Sequence, residues 1–188
     1  MRASFALTFC VMLAMAPWPS RAELDVSDYE GWVITVLEGE TVRVLDGSNR
    51  MTRVRLKSID APERDQPFGE EARKYLASLL SGREIKVKAK QADDYGNILG
   101  QVWVTPPDCL DCKKSVDANL ALLQAGLAWW SSKFAKQQSG AERKEYEAAQ
   151  GKAREDRLGL WADPDPVPPW EWRRRKAAAE TSQQRVSE

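Results

Sequence analysis

The chain has no histidine in its 188 residues. That removes Ser-His-Asp and Cys-His nucleophiles, and any zinc site that needs imidazole. Chemistry is left to carboxylates, Arg, Lys, Tyr and Cys. Cysteine is scarce as well, at three residues, too few for a Cys₄ metal cluster. An excess of positive charge is also missing: 28 basic residues face 28 acidic ones. No overall basic field marks a nucleic-acid binder, so any phosphate recognition must come from local placement. Only one long apolar run exists, Phe5 to Ala16, and it is too short to span a bilayer.

That run has the layout of an export leader. Arg2 precedes it, and Ser20-Arg21-Ala22 ends in the small residue a signal peptidase reads. Residues 1–22 are therefore expected to be a signal peptide, with the mature chain starting at Glu23 and the protein secreted or periplasmic. Cys10 leaves with the leader. Loss of Arg2 and Arg21 leaves 26 basic residues against 28 acidic ones, a net charge of −2. The length that remains suits one domain with one core.

Turn signals divide the next stretch into a meander of short strands. Trp32 to Leu37 is β-rich, and Thr41 to Leu45 alternates apolar and polar residues after the turn Glu38-Gly39-Glu40. Asp46-Gly47-Ser48-Asn49 is a second turn, and Met51 to Leu56 a third strand. A helix is predicted from about Phe68 to Leu80, then strands over Glu84 to Lys90 and Ile98 to Val104. Further helices are predicted over Ser115 to Ala125 and Gly140 to Arg157. Five strands with a helix between the third and fourth give an α+β fold, an OB-like β-barrel with about three helices. The domain is expected over residues 23–163. Pro164, Pro166, Pro168 and Pro169 then read as a stiff linker, followed by a basic, disordered tail to Glu188. The run Arg173 to Lys176 reads first as solvent-screened surface charge, with an accessory phosphate contact as the less favoured alternative.

The candidate chemistry lies around the third strand. Glu40 sits in a turn, Arg55 near a strand end, and Asp60 and Glu63 in the loop that follows. Carboxylates suit a hard cation, a guanidinium fork suits a phosphate, and a free carboxylate can take a proton from water. Together they form a metal-assisted hydrolysis set without histidine. Taken by charge alone, acidic loops beside strands are more often solvated surface.

The ordered segments Val36-Leu37-Glu38-Gly39-Glu40-Thr41-Val42, Val54-Arg55-Leu56 and Ile59-Asp60-Ala61-Pro62-Glu63 resemble the staphylococcal nuclease (thermonuclease) family. Asp94-Tyr95-Gly96, Asn119-Leu120, Gly126-Leu127-Ala128-Trp129 and Gly159-Leu160-Trp161 continue the resemblance, which runs from about Trp32 to Trp161. It implies a Ca²⁺-dependent nuclease, monomeric by default, cleaving DNA and RNA. The metal ligands fall on Glu40, Asp60 and the Ala61 carbonyl, the general base on Glu63, and a phosphate-gripping arginine on Arg55. Base stacking falls near Ser132 and Phe134, where only Phe134 offers a ring.

Two positions depart from the family pattern. Glu40 stands where an aspartate is usual, and Asn97 stands where Tyr-Gly-Arg supplies a second catalytic arginine. A neutral residue there implies a loss on the order of a thousandfold in rate, unless another cation substitutes, with Lys113 and Lys114 as candidates. The alternative is therefore a catalytically weakened relative that binds nucleic acid or protein. Cys109 and Cys112 lie in a Pro-rich insertion after a strand, and no further Cys or His exists to complete a zinc site. A structural disulfide is the favoured reading there.

Overall fold

In the computed structural model the described residues are 26–186, except 94, 110 and 111. The expected leader and its cleavage point lie outside them. Among the described residues no helix is long and apolar enough to cross a membrane.

Alternating apolar residues build the first three strands: β1 (Tyr29–Glu38), β2 (Thr41–Asp46) and β3 (Met51–Leu56). Val33, Val42, Val44, Val54 and Leu56 are at most 1% exposed, while Arg43 and Arg53 face out. The two-residue strand β4 (Ile59–Asp60) follows, and then helix α1 (Gly69–Leu80). Ala72, Leu76 and Leu80 lie along one stripe of α1 and are fully buried. Strands β5 (Glu84–Ala92) and β6 (Ile98–Val104) form the next hairpin. The short strand β7 (Val116–Asp117) leads into α2 (Ala118–Gln124), and β8 (Trp129–Trp130) pairs back onto β4. Helix α3 (Gly140–Glu155) starts from a capping box of Ser139 and Glu142. Helix α4 (Pro169–Val186) ends the described chain.

The main sheet runs β3-β2-β1-β5-β6-β7, and a parallel pairing of β3 with β6 closes five of its strands into a barrel. Closure leaves no free edge on β3 or β6 within the ring. This is the expected OB-like α+β fold. One continuous apolar core fills the barrel and extends beneath α1, α2 and Tyr146. A smaller aromatic cluster, Trp129, Ala153, Leu160 and Trp161, sits outside it.

Two segments differ from the sequence expectation. The second helix starts at Ala118 rather than Ser115, because Val116 and Asp117 pair with Val104 and Trp103 of β6. The Asp117 side chain then caps the helix by accepting from the Asn119 and Leu120 amides. Where a disordered tail was expected, Pro169–Val186 is a helix. Pro169 occupies a first-turn position that needs no N–H donor, and Glu171 favours the helix start.

Candidate active site

The chain around β3 and β4 is bent so that residues five apart reach one mouth of the barrel. Ser58 adopts φ 67°, a left-handed conformation uncommon for a residue with a side chain. Asn119 holds this bend from inside. Its Nδ2 donates to the Lys57 carbonyl at 2.8 Å and to the Gly100 carbonyl at 3.3 Å, and its Oδ1 accepts from the Val102 amide at 3.1 Å. Arg55 at the end of β3 and Asp60 in β4 therefore face the same space. They line a cleft of about 340 Å³ with Lys57, Tyr95, Lys133 and Phe134.

Glu40 enters from the β1–β2 turn and is only 6% exposed. Its Oε1 accepts from Arg55 Nε at 2.7 Å and Nη2 at 2.5 Å, and its Oε2 accepts from the Ala61 amide at 3.0 Å. The longer glutamate side chain thus reaches the arginine and the loop backbone together. Burial first, and then the charge of Asp60, push the Glu40 carboxyl up to about 8, although Arg55 and the Ala61 amide pull the other way. Burial alone would lower the Arg55 guanidinium, but the adjacent Glu40 and Asp60 raise it.

Asp60 and Glu63 meet a second cation, and it comes from α4. Arg173 Nη1 lies 3.1 Å from Asp60 Oδ1 and 2.5 Å from Glu63 Oε1, and its Nη2 lies 2.9 Å from Asp60 Oδ2. The hydrogen bond to Asp60 is the main reason the Arg173 guanidinium is raised. Glu63 is placed by a turn in which its amide donates to Gln66 Oε1 at 3.1 Å.

Gly69 packs directly under the carbonyl of Glu63, where a Cβ would lie 1.9 Å from that oxygen. Glycine is required there by the close approach of the α1 start to the loop.

Asp60 and Glu63 already converge on one cation, which is the arrangement that hard-oxygen coordination of a divalent ion would use. Glu40 is committed on both oxygens to Arg55 and Ala61. Among the described residues no three Asp, Glu, Cys or His side chains close on a single point as a full metal cage does. Asp60, with Glu63 beside it, is the part of the donor set that points at one position, and as placed the Arg173 guanidinium occupies it.

The other sequence candidates fall in different places. Phe134 lies in the cleft wall, on the turn Ser132–Gln137. Asn97 is 9% exposed and turned onto its own loop, with Nδ2 on Asp93 Oδ2 at 2.7 Å. It is not among the cleft-lining residues. Lys114 is paired with Glu84 at 2.9 Å and Glu30 at 3.1 Å. Together with Lys113 it lines a larger cavity of about 670 Å³, which shares no residue with the Asp60 cleft. Neither lysine replaces a cation at Asp60. Cys109 and Cys112 form a disulfide, Cα–Cα 5.5 Å.

Sequence reasoning missed Lys57 and Lys133 as parts of this cleft, and offered Arg173 only within a basic run whose less favoured reading was an accessory phosphate contact. For Arg173 the only signal was the basic run itself.

Comparison with known proteins adds an independent line. The family profile described as "Staphylococcal nuclease homologue" matches residues 53–163. An "Uncharacterized endonuclease" of Escherichia coli is 36% identical over 166 residues, covering 88% of this chain and 96% of the relative. A "Micrococcal nuclease" of Shigella flexneri is 41% identical over 149 residues, covering 79% of this chain and 82% of the relative. "Protein ParB" of Escherichia coli is 37% identical over 174 residues, covering 93% and 90%. With its closed barrel, its acidic and basic cleft, and relatives matched along most of its length, the chain belongs to the staphylococcal nuclease family.

Proposed function

We propose that the protein is a metal-dependent nuclease that hydrolyses phosphodiester bonds of DNA and RNA, with calcium as its metal. The observation that carries this reading is the convergence of Arg55 and Asp60 on one solvent-reachable cleft, with Glu63 joined to Asp60 through the Arg173 guanidinium. Relatives named endonuclease and micrococcal nuclease support the same reaction class.

In this reading Asp60 and the Ala61 carbonyl would hold the ion, and Glu40, the further ligand that the resemblance implies, would have to leave Arg55 and the Ala61 amide to join them. The bound ion supplies positive charge against the scissile phosphate. Arg55 presents its fork to a non-bridging phosphate oxygen. Glu63 takes a proton from a water molecule as the water oxygen bonds to phosphorus, and the bond from phosphorus to the leaving oxygen breaks. Phe134 offers its ring to a neighbouring base, a contact that tolerates any sequence. The leader over residues 1–22 places this activity outside the cytoplasm, in the periplasm or beyond the cell, and the protein acts as a monomer.

A second reading, a nucleic-acid- or protein-binding relative with weakened catalysis, is favoured by one specific observation. Asn97 carries no charge, and its side-chain amide is held on Asp93 at the cleft wall.

The two readings separate in one experiment: calcium-dependent cleavage of single-stranded DNA by the chain from Glu23, with Glu63→Gln alongside. The nuclease reading expects Glu63→Gln to lower turnover by about 10²–10⁴-fold at an unchanged melting temperature. If neither protein cuts while both bind the oligonucleotide, the binding-module reading replaces it.

A further inference from the structure

Two guanidinium groups from distant parts of the chain meet at one carboxylate oxygen. Arg55 Nη2 lies 3.7 Å and Arg173 Nη1 3.1 Å from Asp60 Oδ1. Like charges this close repel, and a fold keeps them together where anions lie between them. Here Asp60 and Glu63 supply part of that anionic charge. The two side chains are 35% and 43% exposed and both line the cleft, so both are open to an incoming ligand.

Arg173 is held in position by its helix. Trp170 packs edge-on against Trp129 with ring centres 5.6 Å apart. Trp172 Nε1 and Lys176 Nζ bond the Asp65 carboxylate at 3.3 and 2.6 Å. Gln66 Nε2 donates to the Val167 carbonyl at 2.6 Å. Helix α4 is thereby tied to the same loop that carries Asp60 and Glu63, which fixes the guanidinium relative to the reacting groups.

The contacts of Arg173 to Asp60 and Glu63 use three of a guanidinium's five N–H donors. The fork therefore retains donors for a further oxygen. Anionic phosphoryl oxygens gain charge as a nucleophile attacks, and a fixed guanidinium is well suited to stabilise that charge. Asn97 cannot do so from its position on Asp93.

The structure assigns Arg173, from a helix beyond the matched family segment, as a second phosphate-binding catalytic residue opposite Arg55. Its guanidinium bonds a non-bridging oxygen of the phosphodiester while water adds to phosphorus, Glu63 takes the water proton and the leaving oxygen departs. The assignment rests on the nuclease reading and supplies the cation that Asn97 does not.

The test uses Arg173→Ala and Arg173→Lys in the purified chain, with two readouts. Affinity for a short oligothymidylate is measured by fluorescence anisotropy at low salt in EDTA, where nothing is cut. Cleavage is then measured with calcium. Arg173→Ala is expected to weaken binding about tenfold and to lower kcat about 10²–10³-fold, with Arg173→Lys in between because it keeps charge but loses the fork. Millimolar guanidinium ion should restore part of the turnover to Arg173→Ala and none to Glu63→Gln, an effect that damage to the fold would not give.

Wild-type or faster cleavage by Arg173→Ala overturns the assignment and makes Arg173 a counterion that masks the acids, while the nuclease reading stands. Loss of binding in Arg173→Ala when wild type binds but does not cut keeps the phosphate contact and removes the nuclease reading. If wild type neither binds nor cuts, both fall.

Discussion

Replacing Asn119 by alanine should cost the protein about 3–5 kcal/mol, although Asn119 does not itself line the cleft. The residue is fully buried and satisfies three backbone groups through one amide: the carbonyls of Lys57 and Gly100 and the amide of Val102. The Gly100 carbonyl also accepts from the Lys57 amide at 2.9 Å, so it keeps a partner in the variant. The Lys57 carbonyl and the Val102 amide each lose the partner Asn119 gave them. A buried polar group stripped of its partner costs about 1–3 kcal/mol, and the small cavity left behind adds to the two.

At about 2–4 °C per kcal/mol for a chain of this size, the melting temperature should fall by on the order of 10 °C. Urea unfolding at constant pH measures the loss directly, with an unchanged m-value showing that the same surface is exposed. Asn119→Asp is the sharper variant. It keeps the acceptor for Val102 but turns a carboxylate toward two carbonyl oxygens, so it should be less stable than the alanine form. A loss below about 1 kcal/mol in the alanine variant, or an aspartate variant as stable as wild type, refutes the reasoning.

Gly69→Ala would push a methyl group to 1.9 Å from the Glu63 carbonyl and 3.2 Å from Arg64 Cα. It should destabilise by about 1–3 kcal/mol in thermal melts and lower cleavage by up to about 10²-fold through displacement of Glu63. Tyr146→Phe removes the 2.7 Å hydrogen bond to Asp117, whose carboxyl burial already raises. A loss of about 1.5–3 kcal/mol is expected, and a neutral result in urea would show that Gln101 or water replaces the hydroxyl. Because the Glu40 carboxyl is raised from 4.5 to about 8, the folded state holds a proton there that the unfolded chain has released. The Glu40 contribution should therefore reduce stability as pH rises from about 4.5 to about 8 and level off above that. Comparing urea midpoints at several pH values for wild type and Glu40→Gln isolates it, and a wild type that gains stability relative to the variant across that window contradicts it.

The barrel was legible because its strands are written in period two. Val42 and Val44, or Ile85 and Val87, alternate with polar residues, and the turns between strands carry Gly, Asn or Asp. Strand β6 was recovered with its observed bounds, Ile98–Val104. Boundaries that depend on a distant partner were not legible. β1 extends back to Tyr29 because that residue pairs with Val87 of β5 and its hydroxyl meets Thr52 Oγ1 at 2.6 Å. The start of α2 carried a readable cap in Asp117, but the competing pairing of Val116 with Val104 is a long-range contact.

At the candidate site, Arg55, Asp60 and Glu63 were readable because they lie within one short segment whose order carries the family pattern. Arg173 was legible only as part of a basic run whose less favoured reading was a phosphate contact, for a reason that follows from the physics of charge runs. Four consecutive basic residues and a flanking row of prolines fit a solvated tail as well as a helix, and helix propensity alone does not decide between them. The decision is made by partners more than a hundred positions away: Asp60, Glu63 and Asp65. A helix that presents Arg173 and Lys176 three apart on one face can place both over a loop carrying three acids, whereas Arg174 and Arg175 turn aside to Glu171. Alternation in partner choice along the run, rather than its net charge, distinguishes a docked helix from a screened tail. It becomes visible only when the acidic loop and the helix are seen together.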